Sequence, residues 1–140
     1  MSGTSPAPVV VSWSPDEHGA AAWQHGLARA RSRGSSLVVV NASRGDALVD
    51  PRFATETALD ALRAEAREAH VPLEVRRGVG GEVADQVLEV ADEVDAALVV
   101  VGLRRRTPVG KLIMGSVAQR LLLTARCPVL AVKPGQAPVS

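Results

Sequence analysis

The densest concentration of groups able to hold an anion lies in residues 102–116, where Gly102, Arg104, Arg105, Arg106, Gly110, Lys111, Gly115 and Ser116 fall in one short stretch. The stretch leaves a run of β-branched residues and enters an amphipathic segment at Gly115 and Ser116. The free amides and the dipole of a helix start attract negative charge there. A glycine at that point lets a phosphate approach the backbone. Ser116 can donate its hydroxyl to a phosphate oxygen, and Arg105 offers a guanidinium whose geometry suits phosphate. The alternative is structural: Gly115 and Ser116 begin a helix and the arginines are solvated. A Walker A loop is excluded. Gly110 and Lys111 fit its end, but Arg105 stands in place of the first glycine and Leu112 in place of the hydroxyl that holds Mg²⁺. No Gly-x-Gly-x-x-Gly follows the first strand, which turns through Ser12, Trp13, Ser14 and Pro15. The glycines at 78, 80 and 81 read as a turn.

The elements that must position this stretch follow from periodicity. Strands are expected at residues 8–12, 36–42, 73–76, 96–101 and 129–132. Helices are expected at about 15–33, 55–69, 82–94 and 115–125. Ser14 is expected to cap the first helix, with Pro15 at its first position and Glu17 closing a capping box. Gly34 suits the left-handed turn at its end. The charged alternation after Leu73 marks an edge strand. Residues 102–114 are expected to form a long loop. Alternating strands and helices give a single α/β domain, a doubly wound five-stranded parallel sheet with helices on both faces. Its order is either 2-1-3-4-5 or 3-2-1-4-5. In the second, the winding reverses between strands one and four, and ligands bind beyond the carboxyl ends of the strands there. That crevice joins the turn at Ser12 and Trp13 to residues 102–116.

Composition narrows the classes. The 140 residues are 46% hydrophobic but only 2% aromatic, with net charge +1. A core of Val, Leu, Ala and Ile suits a buried parallel sheet. A base-stacking platform is excluded, and no specific nucleic-acid partner is expected. The lone Cys127 cannot form an internal disulfide, which fits a reducing, cytoplasmic setting; its expected role is a small buried hydrophobe. No run approaches the ~18 apolar residues of a membrane span, and the first residues do not read as a signal peptide. His18, His25 and His70 have no metal-site spacing and are expected to face solvent or cap helices. Asp46 and Asp50 sit in a polar loop. No Ser-His-Asp or Cys-His arrangement is legible, no catalytic residue is assigned, and residues 102–116 contain no general base.

The segment from Asp95 through Gly102, the Gly115-Ser116-Val117 triplet and the run from Cys127 to Lys133 resemble the universal stress protein family. The Val-Val-Val-Ser-Trp-Ser-Pro run ending at Pro15 and the run from Gly81 to Val87 fall where that family has its other blocks. The resemblance covers residues 8–133 and leaves 1–7 and 134–140 as flexible tails. It implies sheet order 3-2-1-4-5 in the adenine nucleotide α-hydrolase-like manner, and a homodimer pairing through the apolar edge strand Val129–Val132. It further implies ATP as cofactor, with Mg²⁺ as companion ion. The family's pattern is Gly, two residues, Gly, nine residues, then Gly and Ser or Thr. Gly102 matches the first position and Gly115 and Ser116 the last two, while Arg105 replaces the second glycine. Ser12 and Trp13 replace the usual Asp and Gly after strand one. The implied site comprises Ser12, Trp13 and Ala42 around the base, and Gly102, Arg105, Gly115, Ser116 and Val117 around ribose and phosphates. Trp13 either fills the base position or stacks on it. The leading expectation is a non-catalytic dimer responding to an adenine nucleotide. The alternatives are a nucleotide-free interaction module and a weak Mg-dependent ATP hydrolase.

Overall fold

The structure, a computed structural model, describes residues 6–45, 55–106, 111–136 and 138. In chain order the elements are β1 (Val9–Ser12), α1 (Glu17–Arg33), β2 (Leu37–Ser43), α2 (Glu56–Glu68), β3 (Leu73–Val79), α3 (Val83–Val94), β4 (Leu98–Gly102), β5 (Arg104–Arg106), β6 (Lys111–Ile113), α4 (Ser116–Thr124) and β7 (Val129–Val132). The main sheet runs β3-β2-β1-β4-β7, all parallel. Renumbered without the β5–β6 pair, this is order 3-2-1-4-5, the second of the two expected orders.

The central strands are buried on both faces, which is why their sequences are continuous apolar runs rather than alternating ones. Val9 and Val11 pack with α1 and α2, while Val10, Val38, Val40, Val99 and Val101 pack with α3 and α4. Alternate residues of one strand thus feed two separate cores. At one edge β3 exposes Glu74 and half-buries Arg76, whose guanidinium reaches Glu74 and Glu93. At the other edge β7 pairs only with β4 and carries Val129, Leu130 and Ala131 half-buried with no charge.

Several expectations are corrected. Asp16, not Ser14, caps α1: its side chain accepts from the Gly19 amide at 2.9 Å. Pro15 favours an extended Ser14, and a carboxylate answers the helix dipole better than a hydroxyl. The helix therefore begins two residues later, at Glu17. Residues 104–113, expected as loop, include an antiparallel pair with Arg104 opposite Ile113 and Arg106 opposite Lys111. Three-residue strands are too short to show a period. β3 runs on to Val79 beside β2, taking in Gly78.

His25 faces the interior rather than solvent. It is buried on α1, and its Nε2 lies 2.9 Å from the carbonyl oxygen of Gln136. Residues just past β7 therefore meet the domain, with Pro134 also buried. Gly34 does end α1 in the left-handed region, at φ 68.

Candidate functional site

The carboxyl ends of β1, β2 and β4 meet the start of α1, the hairpin and the start of α4 around one crevice. Its enclosed room is about 50 Å³. Ser12, Trp13, Ala42, Gly102, Gly115 and Val117 line it, together with Ser14, His18 and Arg104. Six of the eight residues expected at the site are thus brought together. Ser116 instead lines a neighbouring hollow of about 370 Å³ between α3 and α4, with Glu82 and Arg120. Arg105 lies in β5 opposite Leu112; its side chain, like Asp46 and Asp50, lies outside what the structure describes.

Trp13 is 8% exposed and belongs to the core formed with α1 and α2. Its amide donates to the Val40 carbonyl at 3.0 Å. Asn41, fully buried at the end of β2, donates from Nδ2 to the Trp13 carbonyl at 3.3 Å. The ends of β1 and β2 are therefore tied together, and the indole is committed to the core while one part lines the crevice.

Gly102 and Gly115 differ in what makes them glycine. A methyl at Gly102 would overlap the His18 carbonyl oxygen and come within 2.8 Å of the His18 Cβ. The first turn of α1 rests directly on the end of β4, so packing alone demands glycine there. At Gly115 the atoms nearest such a methyl belong to Arg104, with Nε at 3.3 Å and Cδ at 3.4 Å, and a long flexible side chain can yield. Gly102→Ala is accordingly expected to lower stability by about 1–3 kcal/mol, the usual range for overpacking. Urea unfolding measures this, and an unchanged midpoint would mean that the first turn of α1 shifts freely.

The start of α4 carries the electrostatics. Gly115 is its N-cap, at φ −66 and ψ 165, and supplies no side-chain acceptor. The leading amides of the helix thus lack the usual capping oxygen. The exposed Arg104 side chain lies against this glycine, adding a positive charge to the positive end of the dipole. Sequence matching favoured Arg105 because that position carries a glycine in the resembling pattern; the structure describes Arg104 at the crevice.

His18 was missed altogether. Its Nε2 pairs with the Asp16 carboxylate at 2.9 Å. Its Nδ1 is shut from solvent and has no hydrogen-bond partner among the described residues. Such an unmatched buried atom costs about 1–3 kcal/mol. The sequence signal was available, since His18 lies two residues past the true cap, but it depended on placing Asp16 there. Ser14 donates to the same carboxylate, at 2.9 and 3.0 Å to its two oxygens. The three side chains do not form a nucleophile–base relay, because the serine proton goes to Asp16 and not to the imidazole.

Cys127 lies away from this crevice, at a hollow between α3 and the end of α4. Burial pushes its thiol above the ordinary range, with Asp92 adding to the effect, so it is a weak nucleophile at neutral pH. Among the described residues no group of three or more His, Cys, Asp or Glu side chains could hold a metal ion, and no helix is long and apolar enough to cross a membrane.

A five-stranded parallel sheet with a crevice at its reversal point, walled by a glycine-led helix start, defines a doubly wound α/β architecture. Comparison with known proteins gives the particular family. The profile of the universal stress protein family matches residues 7–133. A universal stress protein of Mycolicibacterium smegmatis is 48% identical over 126 residues, spanning 90% of this chain and 97% of that one. A universal stress protein from Archaeoglobus fulgidus, solved in complex with dAMP, superposes with a TM-score of 0.66 at 27% identity, over 93% of this chain and 98% of that one. A universal stress protein solved in complex with cAMP gives a TM-score of 0.68 at 26% identity, over 94% of this chain and 100% of that one. The chain belongs to the universal stress protein family.

Proposed function

We propose that this protein is a cytoplasmic, non-catalytic regulator that binds ATP in the crevice and works as a homodimer. The observation that carries the reading is the α4 start: an N-cap without a side-chain acceptor, with Arg104 beside it. These groups fit a phosphate chain. The base then lies toward Ser12, Trp13 and Ala42, and the remaining site residues, Gly102, Arg105, Ser116 and Val117, flank ribose and phosphates. Two solved relatives in complex with dAMP and cAMP support an adenine nucleotide as the ligand class. Mg²⁺ would arrive with the nucleotide's own phosphates.

The enclosed room of about 50 Å³ is well below the ~300 Å³ of small ligand sites. Binding therefore entails opening of the crevice mouth, where the exposed Arg104 side chain is the readiest group to move. Dimer formation is assigned to β7, the uncharged edge, since a bare apolar edge favours strand pairing and the ion-paired β3 edge resists it. For slow hydrolysis, the Ser14 hydroxyl and the His18 Nε2 are both spent on Asp16, and neither serves as a base.

Calorimetric titration of MgATP into the full chain, with sedimentation velocity on the same samples, tests the proposal. One site per chain on a dimeric species is expected. A dimer that takes up no ATP would instead favour the nucleotide-free interaction module.

A further inference from the structure

We infer that His18 reads the sugar of the bound nucleotide, its Nδ1 accepting a hydrogen bond from a ribose hydroxyl. The inference rests on the nucleotide reading above and assigns a role within it to a residue outside the expected set.

Asp16 fixes the imidazole. Its carboxylate accepts from the Ser14 hydroxyl and from the Gly19 amide, and it faces His18 Nε2. A carboxylate in this position only accepts, so Nε2 holds the proton, and the other nitrogen of a neutral ring then offers a lone pair. That nitrogen is the buried Nδ1 left without a partner. The acceptor is held in place, desolvated and unmatched, and it gains most from a ligand that brings a donor.

The position of His18 selects which part of the ligand brings it. The sheet order places Ala42 at the end of β2, then Ser12 and Trp13 at the end of β1, then Gly102 at the end of β4. Arg104 and Gly115 lie beyond, on the hairpin and the α4 start. With the base at the β1–β2 end and the phosphates at α4, the sugar spans the stretch over Gly102, and His18 rests on that glycine. Phosphate oxygens accept hydrogen bonds, whereas the donors of the sugar are its hydroxyls. The acceptor therefore matches the sugar and not the phosphates.

The test titrates the full chain with ATP, 2′-deoxy-ATP and 3′-deoxy-ATP, using the wild type, His18→Leu and His18→Asn. The wild type is expected to prefer ATP over one deoxy analogue by about five- to tenfold, the weight of one hydrogen bond. His18→Leu removes that preference while changing affinity for the same deoxy analogue by less than about twofold. His18→Asn, whose side-chain oxygen can stand near the place of Nδ1, retains part of it. Equal affinity of the wild type for all three nucleotides, or a preference that survives in His18→Leu, overturns the sugar assignment and leaves nucleotide binding standing. No uptake of ATP by the wild type overturns the nucleotide reading, and the inference with it. If His18→Leu does not fold, the imidazole ¹⁵N resonances of the wild type decide: Nδ1 shifts more with ATP than with the discriminated analogue if the bond forms, and equally with both if it does not.

Discussion

Trp13→Ala is expected to lower the unfolding free energy by about 3–5 kcal/mol, the range for emptying a buried large aromatic site. The indole is 8% exposed and forms part of the core shared with α1 and α2. Its main chain is held at both ends, by Val40 and by Asn41, so the backbone cannot easily collapse into the void. Urea unfolding followed by circular dichroism measures the change. Trp23, buried on α1 with its Nε1 donating to Glu65 at 3.1 Å, remains as a second, fluorescent probe of the same transition. A loss below about 1 kcal/mol would mean that the ring rests on the surface of the crevice instead of in the core.

Gly115→Asp is expected to abolish nucleotide binding without weakening the fold. Gly115 has the extended backbone of an ordinary N-cap, where aspartate is at least as favourable as glycine. The new carboxylate would accept from the leading amides of α4 and attract Arg104, whose Nε lies 3.3 Å from the Cβ position. Both groups proposed for the phosphates would then be occupied, and the added negative charge would repel them. Affinity for MgATP should fall at least about tenfold, which is 1.4 kcal/mol, while the melting temperature stays level or rises. Calorimetry and a thermal melt on one preparation give both numbers. Binding preserved within twofold would place the phosphates away from α4. The contrast with Gly102→Ala is informative, since that change injures the fold first.

The sheet was legible because burial on both faces writes itself into sequence as uninterrupted runs such as Val9 to Val11 and Val99 to Val101, whereas those runs left two strand orders open and the family resemblance chose between them. The reversal point followed from that order, and with it the meeting of Ser12, Trp13 and Ala42 with Gly102, Gly115 and Val117. The antiparallel pairing of β5 with β6 was not legible. Strands of three residues, Arg-Arg-Arg and Lys-Leu-Ile, are too short to carry a period. Arg104 was named among the cations of the stretch but left out of the site, because motif alignment counts positions, whereas a side chain's reach depends on the strand that carries it. His18 and His25 show the same limit in two directions. Each was read by type as a surface residue, yet one lies over Gly102 and the other meets the Gln136 carbonyl. Those partners are distant in sequence, and only the winding of the sheet brings them close.

The unlike edges of the sheet limit how far it can grow. Charge on β3 discourages a further strand, so accretion by strand pairing has one favourable point of attachment per molecule, at β7. Two chains joined there would each have spent that point, leaving ion-paired β3 strands as the outer margins. A filament needs two receptive ends on every unit, and this sheet offers one. If chains pair through β7 as proposed, this asymmetry would make the assembly self-terminating and would shield a protein of aliphatic strands from open-ended fibre growth.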